Sequence, residues 1–86
     1  MMAGVDRWGP FSDGLDPAEQ RARLRALRQT ARLLAGPRAA ELCRLLAQAE
    51  TDPEALEPAC HALDGLAATD RRQILASYAA LSRSAA

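Results

Sequence analysis

The sequence predicts an all-α protein, a small four-helix bundle or an irregular four-helix array with a flexible N-terminal tail. Three observations predict it. Ala and Leu, two of the strongest helix formers, dominate the apolar part of the composition. β-branched residues are nearly absent, being only Val5, Ile74 and three Thr. Asp-Pro and Gly-Pro pairs punctuate the chain and leave helix-length segments between them.

At 86 residues the chain is one domain at most. A domain of that size buries only ~60% of the surface its unfolded form exposes, so its stability is expected to be modest. Residues 1–15, MMAGVDRWGPFSDGL, are expected to be the flexible tail, because Gly4, Gly9, Gly14 and Pro10 preclude a regular element of any length. Residues 16–86 are the helical domain. The tail holds Trp8 and Phe11, two of the three aromatic residues. One of these rings can fold back to cap the core, since large aromatics dominate burial in small cores. The alternative is a short docking motif that makes Trp8 and Phe11 partner-binding residues.

The first helix is expected over Pro17 to Ala35. Asp16 supplies the N-cap, Pro17 the first helical position and Glu19 the third, a capping-box arrangement, and Gly36-Pro37 stops the run. Leu24, Leu27, Ala31 and Leu34 form its apolar stripe. Pro37 opens the second helix, PRAAELCRLLAQAE. Its apolar residues Ala39, Leu42, Cys43, Leu45, Leu46, Ala47 and Ala49 cover more than half the circumference at ~100° per residue. So wide an arc belongs to a central helix or to one shared with another subunit.

Asp52-Pro53 starts the third helix, with Leu56, Cys60, Leu63 and Ala67 as its stripe. Pro58 lacks an N–H and is expected to kink this helix or split off its first turn. Asp70, with Gln73 three residues on, is expected to cap the fourth helix. That helix buries Ile74, Leu75, Tyr78 and Leu81 and then frays in SRSAA. Short connections between four helices give the bundle or array.

Eleven Arg balance eleven acids with no Lys, so the formal net charge is zero. The Arg and Ala bias points to a GC-rich, bacterial genome. Cys43 and Cys60 form no metal motif and no disulfide framework. Both fall on apolar helix faces, as buried free thiols in a reducing cytoplasm do. No apolar run approaches ~18 residues and no signal pattern opens the chain, so a soluble, cytoplasmic protein without membrane contact is expected.

His61, the one histidine, lies off the core stripe beside Glu57 and Asp64 and is expected to be exposed. The stretch HALDGLA around it resembles the signature of histidine phosphotransfer domains, which are four-helix bundles of bacterial phosphorelays. His61, Leu63, Gly65 and Ala67 match, over seven residues of the 86. The resemblance implies that His61 is the phosphoacceptor and that Gly65 leaves room for a receiver domain. Asp64 stands where the family has Lys, however, and Glu57 adds a second carboxylate one turn away. Both repel an incoming phosphoryl dianion. Leu66 follows Gly65 where the family has a small residue. Glu57, His61 and Asp64 share one face but lack a further ligand, so no metal is expected. General acid–base catalysis needs a pocket and a nucleophile, and neither is visible, so neither an enzyme nor a cofactor is expected. The plain expectation is a solvated histidine.

The charge pattern is sharper. Arg21, Arg25, Arg28 and Arg32 fall within about 80° of arc on the first helix. Residues 17–38 hold six Arg against Glu19, whereas residues 39–86 hold four Arg against seven acids. The chain is neutral in sum but polarised. Nucleic-acid phosphates could be gripped by such a stripe, yet the chain lacks a pI above ~9 and an aromatic platform. A helix-turn-helix over residues 57–76 fails as well, with Asp64 and Arg71 at positions that should be apolar. The stripe is expected to face either Glu54, Glu57 and Asp64 of the third helix or an acidic protein partner. The function expected is therefore a small non-enzymatic protein-interaction or regulatory domain. Its partner-binding residues are Arg21, Arg25, Arg28 and Arg32, with a phosphorelay carrier and a nucleic-acid binder as alternatives. The arc of the second helix, with Ala22, Ala26 and Leu33, also leads to the expectation of a homodimer.

Overall fold

The first long helix begins and ends where the sequence places it. In a computed structural model that describes residues 8–85, with side chains up to residue 83, α1 spans Pro17–Ala35. The Asp16 carboxylate accepts from the N–H groups of Ala18 and Glu19 at 3.0 and 3.4 Å, satisfying two donors that the helix leaves orphaned. Glu19 turns to Arg23 instead of closing the reciprocal half of the box, taking Nε at 2.8 Å. At the far end Gly36 adopts φ +54°, where a side chain would be strained, and donates its N–H to the Arg32 carbonyl.

The next two helices are each shorter than expected because each opens with a 3-10 turn. Residues Gly36–Ala39 form the first such turn, and α2 spans Ala40–Ala49. Pro53–Ala55 form another, capped by Asp52, whose carboxylate accepts from the Glu54 N–H at 3.0 Å. Helix α3 then spans Leu56–Asp64. Pro58 explains the break: without an N–H it cannot bond back to Glu54, so α-type bonding cannot extend into the preceding turn. The last helix, α4, spans Ala68–Ala85 and runs through the stretch expected to fray. All regular elements among the described residues are helical, as expected.

Helix α1 is the common wall. It packs against α2, α4 and a 3-10 turn at Gly9–Phe11, while α3 packs against α2. Leu24, Leu27 and Ala31 of α1, Leu42 and Leu46 of α2, Leu63 of α3 and Ile74 of α4 are the centre of the core. Thr30 is buried among them, its hydroxyl donating to the Ala26 carbonyl at 2.9 Å. The wide arc of α2 is spent largely inside the chain: Ala39, Leu42, Leu46 and Ala49 are buried, and Cys43 and Leu45 pack on the core. Two expected core positions fall elsewhere. Ala67 lies beyond the end of α3 and is exposed, and Leu81 is 54% exposed, while Leu34, Leu56 and Leu75 are half-buried and pack on the core. Ala55 and Ala59 are buried as well, because α3 and the Pro53–Ala55 turn before it both pack on α2.

Of the expected tail, residues 1–7 lie outside the described residues. Pro10 and Phe11 are buried, and Trp8 is half-buried. Trp8 meets Phe11 and Tyr78 edge to face, with ring centroids 5.7 and 5.6 Å apart. Helix α1 holds this segment by its backbone. Gln20 donates to the Pro10 carbonyl and Arg23 to the Gly9 carbonyl, each at 3.2 Å. Gly9 has φ +50°, and a Cβ there would lie 3.0 Å from the Tyr78 ring, so only glycine brings the chain this close.

Asp70 is not the cap of α4. It sits inside the first turn of that helix, where Arg38 grips it with two hydrogen bonds, Nε to Oδ2 at 2.8 Å and NH2 to Oδ1 at 3.0 Å. The carboxylate is only 11% exposed, and this fork ties the turn between α1 and α2 to the start of α4. Arg71 adds a second tie by donating to the carbonyls of Asp64 and Leu66.

Arg38 holds the Asp70 carboxyl below its ordinary value, mainly through these hydrogen bonds. A folded value below the unfolded one means that the stabilisation is complete above the unfolded value, ~3.9. It is lost as the pH falls through the folded value. Asp70→Asn is accordingly expected to unfold at lower urea concentration than the natural chain at neutral pH. The two midpoints should converge once the medium is acid enough to protonate Asp70. Midpoints that stay equally separated throughout would show that the ion pair does not set the difference.

Candidate functional site

The arginine ridge of α1 lies along the seam with α2. Arg25 donates through NH2 to Oε1 of Glu50 at 2.9 Å, and Arg28 stands 3.6 Å from Oε2. Glu50 ends α2 and is only 13% exposed in its side chain. Its Oε2 is buried without a hydrogen-bond partner, since 3.6 Å is beyond hydrogen-bond reach. The acids expected to face the ridge were Glu54, Glu57 and Asp64, and the structure corrects this. All three are exposed and make no ion pair among the described residues. The reason is topological: α3 packs on α2 and so carries its acids away from α1.

Glu50 was nevertheless discoverable. Helices α1 and α2 are joined by the tight Gly36–Ala39 turn and run antiparallel, so residues equidistant from that turn face each other. Arg25 and Glu50 are such a pair. Beyond Glu50 along α2, Ala47 and Cys43 line the seam beside Arg28 and Arg32, and neither is acidic. Between these residues runs an open groove of about 740 Å³, lined by Arg28, Arg32, Ala40, Cys43, Arg44 and Ala47 together with the Gly36-Pro37 turn. Arg21 and Arg32 are exposed and make no ion pair among the described residues.

Cys43 lies in this groove with its thiol 3.7 Å from the Arg28 carbonyl. Burial pushes the thiol above its ordinary value, and Arg28 and Arg32 only partly offset this. It is a groove-lining thiol rather than an activated nucleophile. Cys60 is buried.

Of the other sequence-derived candidates, Phe11 belongs to the core, and Trp8 is half-consumed by packing on Phe11 and Tyr78. His61 is exposed, as expected, on the last turn of α3, with Glu57 and Asp64 exposed beside it. The fold does not bring His61 to the ridge. Among the described residues no group of His, Cys, Asp and Glu is arranged to hold a metal ion, and no helix is long and apolar enough to cross a membrane. Comparison with protein families, with curated proteins and with solved structures returns no match.

His61→Ala is expected to change stability by no more than about 0.5 kcal/mol, the usual range for an exposed position. Incubation of the natural chain with a phosphorylated receiver domain is expected to leave no acid-labile phosphate on His61. A label present on the natural chain and absent from His61→Ala would make the phosphorelay reading the correct one.

Proposed function

We propose that this chain is a small non-enzymatic protein-interaction or regulatory domain, an irregular four-helix array that binds an acidic protein surface through Arg21, Arg25, Arg28 and Arg32. The observation that carries this reading is the charge surplus of the ridge: of its four guanidinium groups only those of Arg25 and Arg28 meet a carboxylate, Glu50, among the described residues. A cationic surface of that kind speeds encounter with an anionic partner and sets its orientation. The zero net charge of the chain favours a local acidic patch over a long polyanion, whose affinity grows with the number of phosphates neutralised.

Arg21 and Arg32 are the residues to reverse, because neither is used in an ion pair of the described fold. The double variant Arg21→Glu/Arg32→Glu is expected to keep the helical circular dichroism of the natural chain. It should lose the protein partner that the tagged natural chain retains when purified from its own cells. Retention of the partner at low salt by the double variant would remove the ridge as the site.

A homodimer is also proposed, now on narrower grounds. Leu33 is 83% exposed and Leu81 54% exposed, the large apolar side chains left in water among the described residues. Sedimentation equilibrium of the natural chain is expected to give twice the 9.2 kDa protomer mass, and Leu33→Glu to give the protomer mass. A natural chain that sediments as a protomer throughout the micromolar range is a monomer, and the proposal then fails.

A further inference from the structure

We propose that the groove between α1 and α2 is the docking site of an acidic amphipathic helix on the partner protein. That helix rests small or apolar side chains on Ala40, Cys43 and Ala47 and gives its carboxylates to Arg28, Arg32 and Arg44. The inference rests on the interaction-domain reading above and assigns it a place and a ligand chemistry.

The chain itself supplies the pattern. At one end of the seam Glu50 is taken in against Arg25 and Arg28 and reaches 13% exposure. One and two helical turns farther along α2 come Ala47 and Cys43, neither acidic, so the row of cations runs on from Arg28 to Arg32, which has no acid paired with it among the described residues. A carboxylate on the partner continues the arrangement that Glu50 begins.

The cations are available for this. Arg32 has no ion pair among the described residues. Arg28 stands 3.6 Å from Glu50, outside hydrogen-bond reach, and keeps its donors for another acceptor. Arg44, on the opposite wall, is held by Glu41 of its own helix, and both side chains are well exposed. Exposed pairs of this spacing are weak and exchange readily.

The floor decides the shape of the ligand. Ala40, Cys43 and Ala47 are small, so a second backbone can approach closely and cover them. No strand edge exists among the described residues to pair with an extended peptide, whereas a helix satisfies its own backbone hydrogen bonds and can lie flat on a floor of small side chains. Helix α2 has ten residues and is therefore ~15 Å long, enough for two to three turns of a partner. No aromatic residue lines the groove to stack a base, which separates this surface from a single-strand nucleic-acid channel.

The test uses the full chain and a fluorescein-labelled synthetic helix with Leu and Ala on one face and Glu along both flanks. Its controls are a scrambled peptide of the same composition, the Glu-to-Lys peptide, and a labelled single-stranded RNA of equal charge. Fluorescence anisotropy at low salt is expected to show saturable binding of the amphipathic acidic peptide alone. Arg44→Glu and Ala40→Glu, both at exposed positions, are expected to weaken that binding by about tenfold or more, the scale of reversing a charge at an interface. Arg44→Ala should weaken it less, and Arg83→Glu, at an exposed position of α4 outside the groove, less than about twofold. Bound peptide should also slow modification of the Cys43 thiol by a water-soluble disulfide reagent.

Equal binding of the scrambled peptide, or RNA binding with the same sensitivity to the variants, would overturn the proposal. So would binding that ignores Arg44→Glu and Ala40→Glu, or an unprotected Cys43. The two readings fail separately. If the natural partner is lost on Arg21→Glu/Arg32→Glu but kept by Arg44→Glu and Ala40→Glu, the ridge stands and the groove falls. If the natural partner survives the first pair as well, both fall.

Discussion

The buried face of α1, Leu24, Leu27 and Ala31, is the constraint on which the rest of this structure depends. Helices α2 and α4 and the N-terminal segment all pack against α1, and α3 reaches the core through α2. Each large aliphatic side chain buried there contributes about 1.5–3 kcal/mol, and a domain this small has few of them. Alanine fills much of the remainder, at positions 31, 35, 39, 49, 55 and 59. Small side chains bring helix axes close together, which makes the short helices α2 and α3 sufficient to cover the wall.

An alanine-rich seam leaves its ends open, and two different devices close them. At the start of α1, Trp8 and Phe11 pack with Tyr78 of α4, so residues outside the long helices complete the apolar core. At the other end of α1, where no aromatic residue is at hand, the Arg38–Asp70 fork fixes the turn against α4. The two solutions differ physically. The aromatic closure depends on burial and has no charge for salt to screen, whereas the fork is a charge-assisted contact between a buried carboxylate and a more exposed guanidinium.

The same economy of side chains shapes the surface along the arginine ridge. Because α2 turns its leucines inward to meet α1, its small residues remain along the groove beside the arginine ridge. A cationic rim over a small apolar floor follows from how the helices pair rather than from a separate site built on top of the fold. Glu50 shows what such a rim does to a carboxylate: it draws the group almost wholly out of solvent.

How much of this was legible in the sequence varies by element. Fold class, the bounds of α1, its Asp16 cap, the effect of Pro58 and the exposure of His61 follow from local chemistry, and local chemistry is written in neighbouring residues. The arginine ridge is equally local, since its spacing needs only the helical repeat. What pairs with the ridge is not: Glu50 in place of Glu54, Glu57 and Asp64 is set by which helix lies beside α1. Asp70 resembles a helix cap in sequence and serves Arg38 instead, because a partner 32 positions away carries no local signature. The exposure of Leu81 and the burial of Ala59 likewise depend on which helices pack against each other. The sequence by itself determined where helices form and which of their faces are charged, through periodicity and capping at short range. Tertiary structure alone decided which faces meet, because that choice is made by packing between residues far apart in the chain.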